Sequence, residues 1–157
     1  MPDIDLSKTN QIENSPSAKL ASPFPQDWSD REFCEAFESL KIPNEMFHHR
    51  EHIRLAWIYS RHFPYEQTVS RMVRGIQAFA KHHGAAAKYH HTITVAWMRL
   101  VWHAVHPALH GQDFTAFAAA YPYLFNPRFL EDYYSAARLQ SDAARHAWIE
   151  PDIRSLP

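Results

Sequence analysis

The helical spacing of apolar residues, combined with a scarcity of glycine, restricts the fold of this chain more than any other feature. Between Pro64 and Gly84, apolar side chains recur every three or four residues, at Val69, Met72, Val73, Ile76, Phe79 and Ala80. Three glycines in 157 residues argue against a β architecture rich in tight turns. The sequence therefore predicts a protein built from α-helices.

Capping and proline signals divide the chain into helical segments. The sequence Ser29-Asp-Arg-Glu32 is typical of a capping box, and the helix that it opens should stop near Pro43. The same kinds of signal predict further helices over about 47–62, from Pro64 to Gly84, over about 89–105, from Asp113 to Pro122, from Asn126 to about Leu139, and after Ser141.

These segments predict a single all-α domain, an up-down bundle of five to seven helices over residues 25–157. Residues 1–24 are polar and lack periodicity, so we expect a disordered leader there. The fourth segment is apolar on nearly every side apart from one stripe, which places it at the centre of the bundle.

Charge and composition argue against several classes of partner. The net charge is −1, and the basic residues are scattered, so we expect no nucleic-acid partner. No apolar stretch approaches the roughly 20 residues needed to span a bilayer, and the N-terminus lacks a signal-peptide pattern. The single cysteine, Cys34, has no partner for an internal disulfide. We therefore expect a cytoplasmic protein without a membrane partner, and the sequence leaves its oligomeric state open.

Several of the twelve histidines fall on helix faces where apolar residues are expected. His52 lies opposite the arginine face of the second predicted helix, and His90 lies opposite the polar stripe of the fourth. The polar positions that define these two outer faces are Arg50, Arg54, Arg61, Arg99, His103 and His106. A buried imidazole needs a partner, since leaving a buried polar group unpaired costs about 1–3 kcal/mol.

The predicted topology brings three of these histidines to one end of the bundle. Short connections make consecutive helices antiparallel neighbours, so the start of the second helix, the end of the third and the start of the fourth lie together. His52, His83 and His90 occupy those three positions. His48 and His49 precede His52 by one turn, the spacing at which two imidazoles on one helix can reach one ion.

Convergent imidazoles predict a metal site. Three histidine ligands with an open fourth position form the usual catalytic arrangement, and neutral imidazole suits Zn or Fe. We predict a divalent transition metal, Zn or Fe, held by His49, His52 and His90. Further ligands or residues that orient the rings are predicted among His48, His83, His91, Tyr59 and Thr94. The alternative is that these are core histidines satisfied by backbone carbonyls and hydroxyls.

Three segments resemble a family of small uncharacterised bacterial proteins. They are FHHREHIRLAW at 47–57, KYHHTITVAW at 88–97 and YYSAARLQSDAARHAWIEPDIRSLP at 133–157. The family pattern is His-x-x-His-(Leu/Ile), then Tyr-His-x-Thr-x-Thr, then a tail with Trp-x-x-Pro-Asp, and the resemblance covers about residues 45–157. By position it implies a role for His49, His52, Tyr89, His90, Thr92 and Thr94. His83 lies outside that pattern, and His91 departs from it.

The sequence is compatible with three functions. The first is a metal-binding protein, whose narrower form is a small metal-dependent enzyme with a His-ligated ion acting on a small organic substrate. The second is a non-catalytic protein that binds a small ligand, a haem or a protein partner, and whose core histidines are structurally satisfied. The third is a domain that loosens when its inward histidines become charged below about pH 6.

Overall fold

A computed structural model describes residues 22–106 and 111–157, so most of the predicted leader lies outside the described residues. The described part is helical and contains no β-strand, which confirms the all-α prediction. Its α-helices are α1 (Asp30–Glu38), α2 (His49–His62), α3 (Tyr65–His82), α4 (His91–Val105), α5 (Phe114–Ala120), α6 (Ala136–Leu139) and α7 (Asp142–His146). Short 3-10 turns lie at Pro25–Asp27, Asn44–Met46, Ala86–Lys88, Pro122–Phe125 and Pro127–Asp132.

Helix α4 is the central element, as its apolar surface predicts. It packs against α2, α3 and α7, and most of its side chains are buried. The polar stripe is also where the sequence places it, since His103 and His106 are exposed and Arg99 is half-buried over the Trp148 ring. Burying apolar side chains on all other faces of α4 stabilises the bundle by the hydrophobic effect.

Local capping signals explain where the helices begin. The Ser29 hydroxyl accepts a hydrogen bond from the Glu32 amide, and the Glu32 carboxylate accepts one from the Ser29 amide, so the predicted capping box forms. The side chains of Asp113 and Ser141 accept hydrogen bonds from the Ala116 and Ala144 amides and so cap α5 and α7, without the reciprocal bond of a capping box. Helices α2 and α4 begin two residues later than predicted, because His48 and His90 are N-caps in extended conformation.

The helix predicted from Asn126 to Leu139 is wrong as a single element. It consists of the 3-10 turn Pro127–Asp132 and the short helix α6. The chain breaks at Tyr133, whose carbonyl accepts hydrogen bonds from the Ile153 and Arg154 amides of the C-terminal segment. The Asp152 carboxylate also accepts hydrogen bonds from the Ser135 amide and hydroxyl, at 2.8 and 2.5 Å. Contacts with the C-terminal segment thus replace the backbone hydrogen bonds that would have continued the helix.

The prediction that Arg54 faces solvent is wrong. Its exposed fraction is 8%, because the segment before α1 packs over this face of α2. The guanidinium donates hydrogen bonds to the Pro25 and Trp28 carbonyls, at 2.7 and 2.6 Å, and to Asp30 at 3.1 Å. It also lies over the Phe33 ring, 4.7 Å from the ring centre. Arg54 therefore anchors the N-terminal part of the described chain to the bundle.

Within the described residues, none of the helices combines the length and the apolar character that crossing a membrane requires.

Candidate functional site

A cavity of about 330 Å³ lies at the end of the bundle where the sequence placed its histidines. The first two turns of α2, the middle of α3, the first two turns of α4 and the residues just before α4 form its walls. Its apolar lining consists of Ala56, Met72, Ile76, Ile93 and Trp97. Its volume falls at the lower end of the range for pockets that bind small organic molecules.

Six of the ten predicted site residues line this cavity, namely His48, His49, His52, Tyr89, His90 and Thr94. The other four, Tyr59, His83, His91 and Thr92, do not. The structure therefore brings the three predicted metal ligands, His49, His52 and His90, to one pocket. What each ring can do there depends on its hydrogen bonds.

His49 lies in the first turn of α2 with its ring edge against Trp97, 4.5 Å between ring centres. Its Nε2 atom donates a hydrogen bond to the Leu124 carbonyl at 2.8 Å. A carbonyl oxygen only accepts, so the proton is on Nε2 and Nδ1 keeps its lone pair. Burial lowers the pKa of His49, while the Leu124 carbonyl opposes that shift. The ring is thus a neutral hydrogen-bond acceptor.

His52 lies one turn further along α2 and packs on the Phe47 ring, 4.4 Å between ring centres. Its Nδ1 atom donates to the His48 carbonyl at 2.7 Å, which leaves the lone pair on Nε2. Nε2 has no hydrogen-bond partner among the described residues. Burial lowers the pKa of His52, and the nearby His49 lowers it further, because two positive charges would repel each other.

His90 has a structural role that its place on a helical wheel did not indicate. It is the N-cap of α4, and its Nδ1 accepts a hydrogen bond from the Ile93 amide at 3.2 Å. Its Nε2 donates to the Leu139 carbonyl at 2.7 Å. Both ring nitrogens are therefore in use, and His90 joins the start of α4 to the end of α6.

In this arrangement, one of the three predicted metal ligands, His90, has no free ring nitrogen. A metal ligand must offer a nitrogen lone pair to the ion, but the lone pair of His90, on Nδ1, already accepts from the Ile93 amide, and Nε2 carries the proton that is donated to Leu139. His49 and His52 each retain one free nitrogen, which falls short of three protein ligands. Among the residues that the structure describes, no group of three or more His, Cys, Asp or Glu side chains is placed to hold a metal ion.

Two of the remaining predicted residues make other contacts. The Tyr59 hydroxyl donates to Glu38 at 2.8 Å, so Tyr59 packs toward α1 and does not orient His52. The His83 ring nitrogen Nε2 bonds to the Ile42 carbonyl at 3.2 Å. Both side chains are satisfied within the fold, outside the pocket.

The two residues next in sequence to His90 also serve the fold. His91 Nδ1 and the Tyr89 hydroxyl share a hydrogen bond at 3.0 Å, which holds the Tyr89 ring at the pocket wall. The Thr92 hydroxyl is buried, donates to the Ala147 carbonyl at 2.6 Å and accepts from the Ile149 amide at 3.2 Å. Thr92 therefore attaches the C-terminal segment to α4.

Sequence reasoning did not identify six of the lining residues, namely Ala56, Met72, Ile76, Lys88, Ile93 and Trp97. Met72 and Ile76 occupy ordinary apolar positions of α3, and no local signal separates a pocket wall from the core. Lys88 could have been predicted as a lining residue, because it directly precedes Tyr89 and His90, which were both predicted as site residues. It is exposed and lies at the mouth of the cavity.

The lowered pKa values of His49 and His52 predict a loss of stability in acid. In the unfolded chain these rings take up protons near their ordinary pKa of about 6.5, whereas the folded protein binds the same protons only at lower pH. Their contribution to stability is therefore complete above pH 6.5 and is lost as the pH falls toward the lowered folded values. The loss has a slope of up to about 1.4 kcal/mol per pH unit for each histidine.

Urea denaturation at pH 7.5 and pH 5 would measure this effect. The difference in unfolding free energy between the two pH values should shrink in His52→Phe, which keeps the ring shape and removes the titrating group. His62→Phe is the matched control, because His62 is exposed at the far end of the same helix. If the difference in unfolding free energy between pH 7.5 and pH 5 were the same in His52→Phe as in the wild type, His52 would not be a source of the acid sensitivity.

In comparisons with protein-family models, curated proteins and solved structures, the chain matches none of them. The resemblance to a bacterial family therefore stays a prediction, and the geometry of the pocket has to support any proposed function.

Proposed function

We propose that this protein binds a small, mostly apolar organic molecule in the histidine-lined pocket. The observation that carries the proposal is the cavity of about 330 Å³ itself, which combines aromatic and aliphatic walls with a few polar atoms. Such a combination is typical of small-molecule sites, where apolar surface supplies affinity and a small number of polar groups fix orientation.

The hydrogen bonds of the site residues support a binding role over a metal centre. The carbonyls of Leu124, His48 and Leu139 hold the rings of His49, His52 and His90 in place. These interactions make the pocket largely pre-formed, so a ligand loses little affinity to the ordering of side chains. The predicted Zn or Fe site remains a separate prediction, and it would require His90 to give up the cap of α4.

A substitution that fills the cavity tests the proposal. Ile93 lines the pocket on α4 and is half-buried, so Ile93→Trp should occupy the space without altering the backbone amide that His90 caps. We expect one- and two-ring aromatic compounds to shift the backbone NMR signals of the pocket residues in the wild-type protein. Ile93→Trp should weaken that binding by about tenfold or more, since the ligand would have to displace the indole.

Ile153→Trp is the matched control, because Ile153 is 59% exposed and belongs to the C-terminal segment rather than to the pocket. It should bind the same compounds as tightly as the wild type. The proposal fails if no compound in the panel perturbs the pocket residues at millimolar concentration. It also fails if Ile93→Trp and Ile153→Trp bind equally well.

Metal analysis of protein purified without a histidine tag distinguishes this proposal from the predicted metal site. We expect less than about 0.1 equivalent of Zn or Fe, because three histidine ligands need three free ring nitrogens. One equivalent that disappears in His52→Phe would favour the metal site instead.

A further inference from the structure

The rings of His49 and His52 offer hydrogen-bond acceptors at the pocket. The proton of His49 is fixed on Nε2 by the Leu124 carbonyl, and the proton of His52 is fixed on Nδ1 by the His48 carbonyl. Each ring therefore keeps one unprotonated nitrogen, Nδ1 of His49 and Nε2 of His52. The third ring, His90, has no free nitrogen to offer.

The two histidine rings that carry these acceptors are neighbours on α2. His49 and His52 are three residues apart on α2, the spacing at which side chains on a helix are neighbours. They are close enough for a charge on one to lower the pKa of the other. Burial opposes protonation of both rings, so both stay neutral near pH 7.

The charge around the cavity restricts the ligand further. The described lining contains no carboxylate, and its charged side chain is Lys88 at the mouth. Glu51 lies outside the lining, where its carboxylate accepts a hydrogen bond from the His48 amide, although its charge still acts on the His49 and His52 rings. An ammonium group in the pocket would therefore lack a carboxylate in direct contact and would be repelled by Lys88, which is unfavourable at low dielectric. A neutral hydroxyl group would instead donate a hydrogen bond to an unprotonated imidazole nitrogen, and this interaction requires no counter-charge.

The walls favour a flat, apolar body for the ligand. The indole of Trp97 and the side chains of Met72, Ile76 and Ile93 face the same space as the two histidine rings. Aromatic ligands gain from both the burial of their area and from contact with an aromatic wall.

We infer that the pocket selects neutral hydroxylated aromatic compounds of the phenol class, whose single O–H donates a hydrogen bond to one of the two unprotonated nitrogens, Nδ1 of His49 or Nε2 of His52. This inference rests on the proposed function, since it names the class of ligand that the same pocket would take. The aromatic body of the ligand lies against Trp97 and the aliphatic wall.

Three compounds of similar shape test the inference by calorimetric titration at pH 7.5. They are 2-naphthol, 2-methoxynaphthalene, which lacks the donor, and 2-naphthylmethylammonium, which is a cation. We expect 2-naphthol to bind about tenfold more tightly than the methyl ether, a factor that matches one well-formed hydrogen bond to a buried acceptor. The ammonium compound should bind more weakly than either.

Two variants assign the preference to the histidines. In at least one of His49→Phe and His52→Phe, the ratio of the affinity for 2-naphthol to the affinity for the methyl ether should fall toward one. Retained binding of the methyl ether shows that a variant still folds. His62→Phe, remote from the pocket, should keep the full preference.

The outcomes separate this inference from the proposed function. Equal affinity for 2-naphthol and the methyl ether would overturn the inference and leave the pocket as a binding site. A preference that survives in both His49→Phe and His52→Phe would also overturn it, as would tight binding of the ammonium compound. If none of the three compounds binds at millimolar concentration, both the inference and the proposed function fail for aromatic ligands.

Discussion

Replacement of Arg54 by leucine should destabilise the protein by roughly 2–6 kcal/mol, because two buried backbone carbonyls would each lose their donor at a cost of about 1–3 kcal/mol. Arg54 is 8% exposed, and its guanidinium bonds to two backbone carbonyls and to Asp30. Leucine would leave the Pro25 and Trp28 carbonyls without a donor at a site that is largely closed to water. Urea denaturation at pH 7.5 measures the change in unfolding free energy.

Two other variants make this prediction specific. Arg54→Lys keeps the charge but cannot reproduce the forked pattern of hydrogen bonds, so it should lie between the wild type and Arg54→Leu. Arg50→Leu should cost less than about 1 kcal/mol, since Arg50 is exposed and its contact with Phe114 is a cation–π interaction at the surface. If Arg54→Leu and Arg50→Leu were equally mild, Arg54 would not be the anchor described above.

Replacement of His90 by alanine should have the second largest effect, about 2–4 kcal/mol. This figure combines the loss of an N-cap, about 1 kcal/mol, with the cost of leaving the Leu139 carbonyl without its donor, about 1–3 kcal/mol. Both effects follow from the two ring hydrogen bonds of His90. Thermal and urea unfolding of the variant would measure the loss.

Asparagine at the same position separates the two contributions. Asparagine is among the best N-cap residues, so His90→Asn should recover about 1 kcal/mol relative to His90→Ala while the contact with Leu139 stays lost. His62→Ala, at an exposed position near the end of α2, should change stability by less than about 0.5 kcal/mol. If His90→Asn were no more stable than His90→Ala, capping by the His90 ring would not contribute to stability.

Signals that act over one helical turn were readable in the sequence. The capping box at Ser29, the caps at Asp113 and Ser141, and the breaks at prolines concern residues that are near neighbours along the chain. The central place of α4 was also readable, because its apolar residues leave a single polar stripe. The prediction of one helix over 126–139 was wrong because amides of the C-terminal segment donate to the Tyr133 carbonyl. No residue close to Tyr133 in the sequence predicts that contact.

For the pocket, too, the sequence predicted where side chains lie but not which distant groups they contact. Short connections between helices were enough to predict that His49, His52 and His90 meet at one end of the bundle, and they do line one cavity. His83, which the same argument placed there, bonds instead to the Ile42 carbonyl outside the cavity. A helical wheel could not tell an inward ligand from an N-cap, which is what His90 is. It also could not show that residues 22–30 cover the face of α2 that carries Arg54.

The sequence by itself thus determined the helical class, the central helix and the meeting point of the histidines. Tertiary structure alone decided what those histidines can do, because their partners are the carbonyls of Leu124 and Leu139, 75 and 49 residues away along the chain. Every residue except the last carries a similar backbone carbonyl, so no side-chain pattern marks the ones that will meet a ring. Those contacts set which nitrogens hold protons, and the free lone pairs that remain define the chemistry of the pocket.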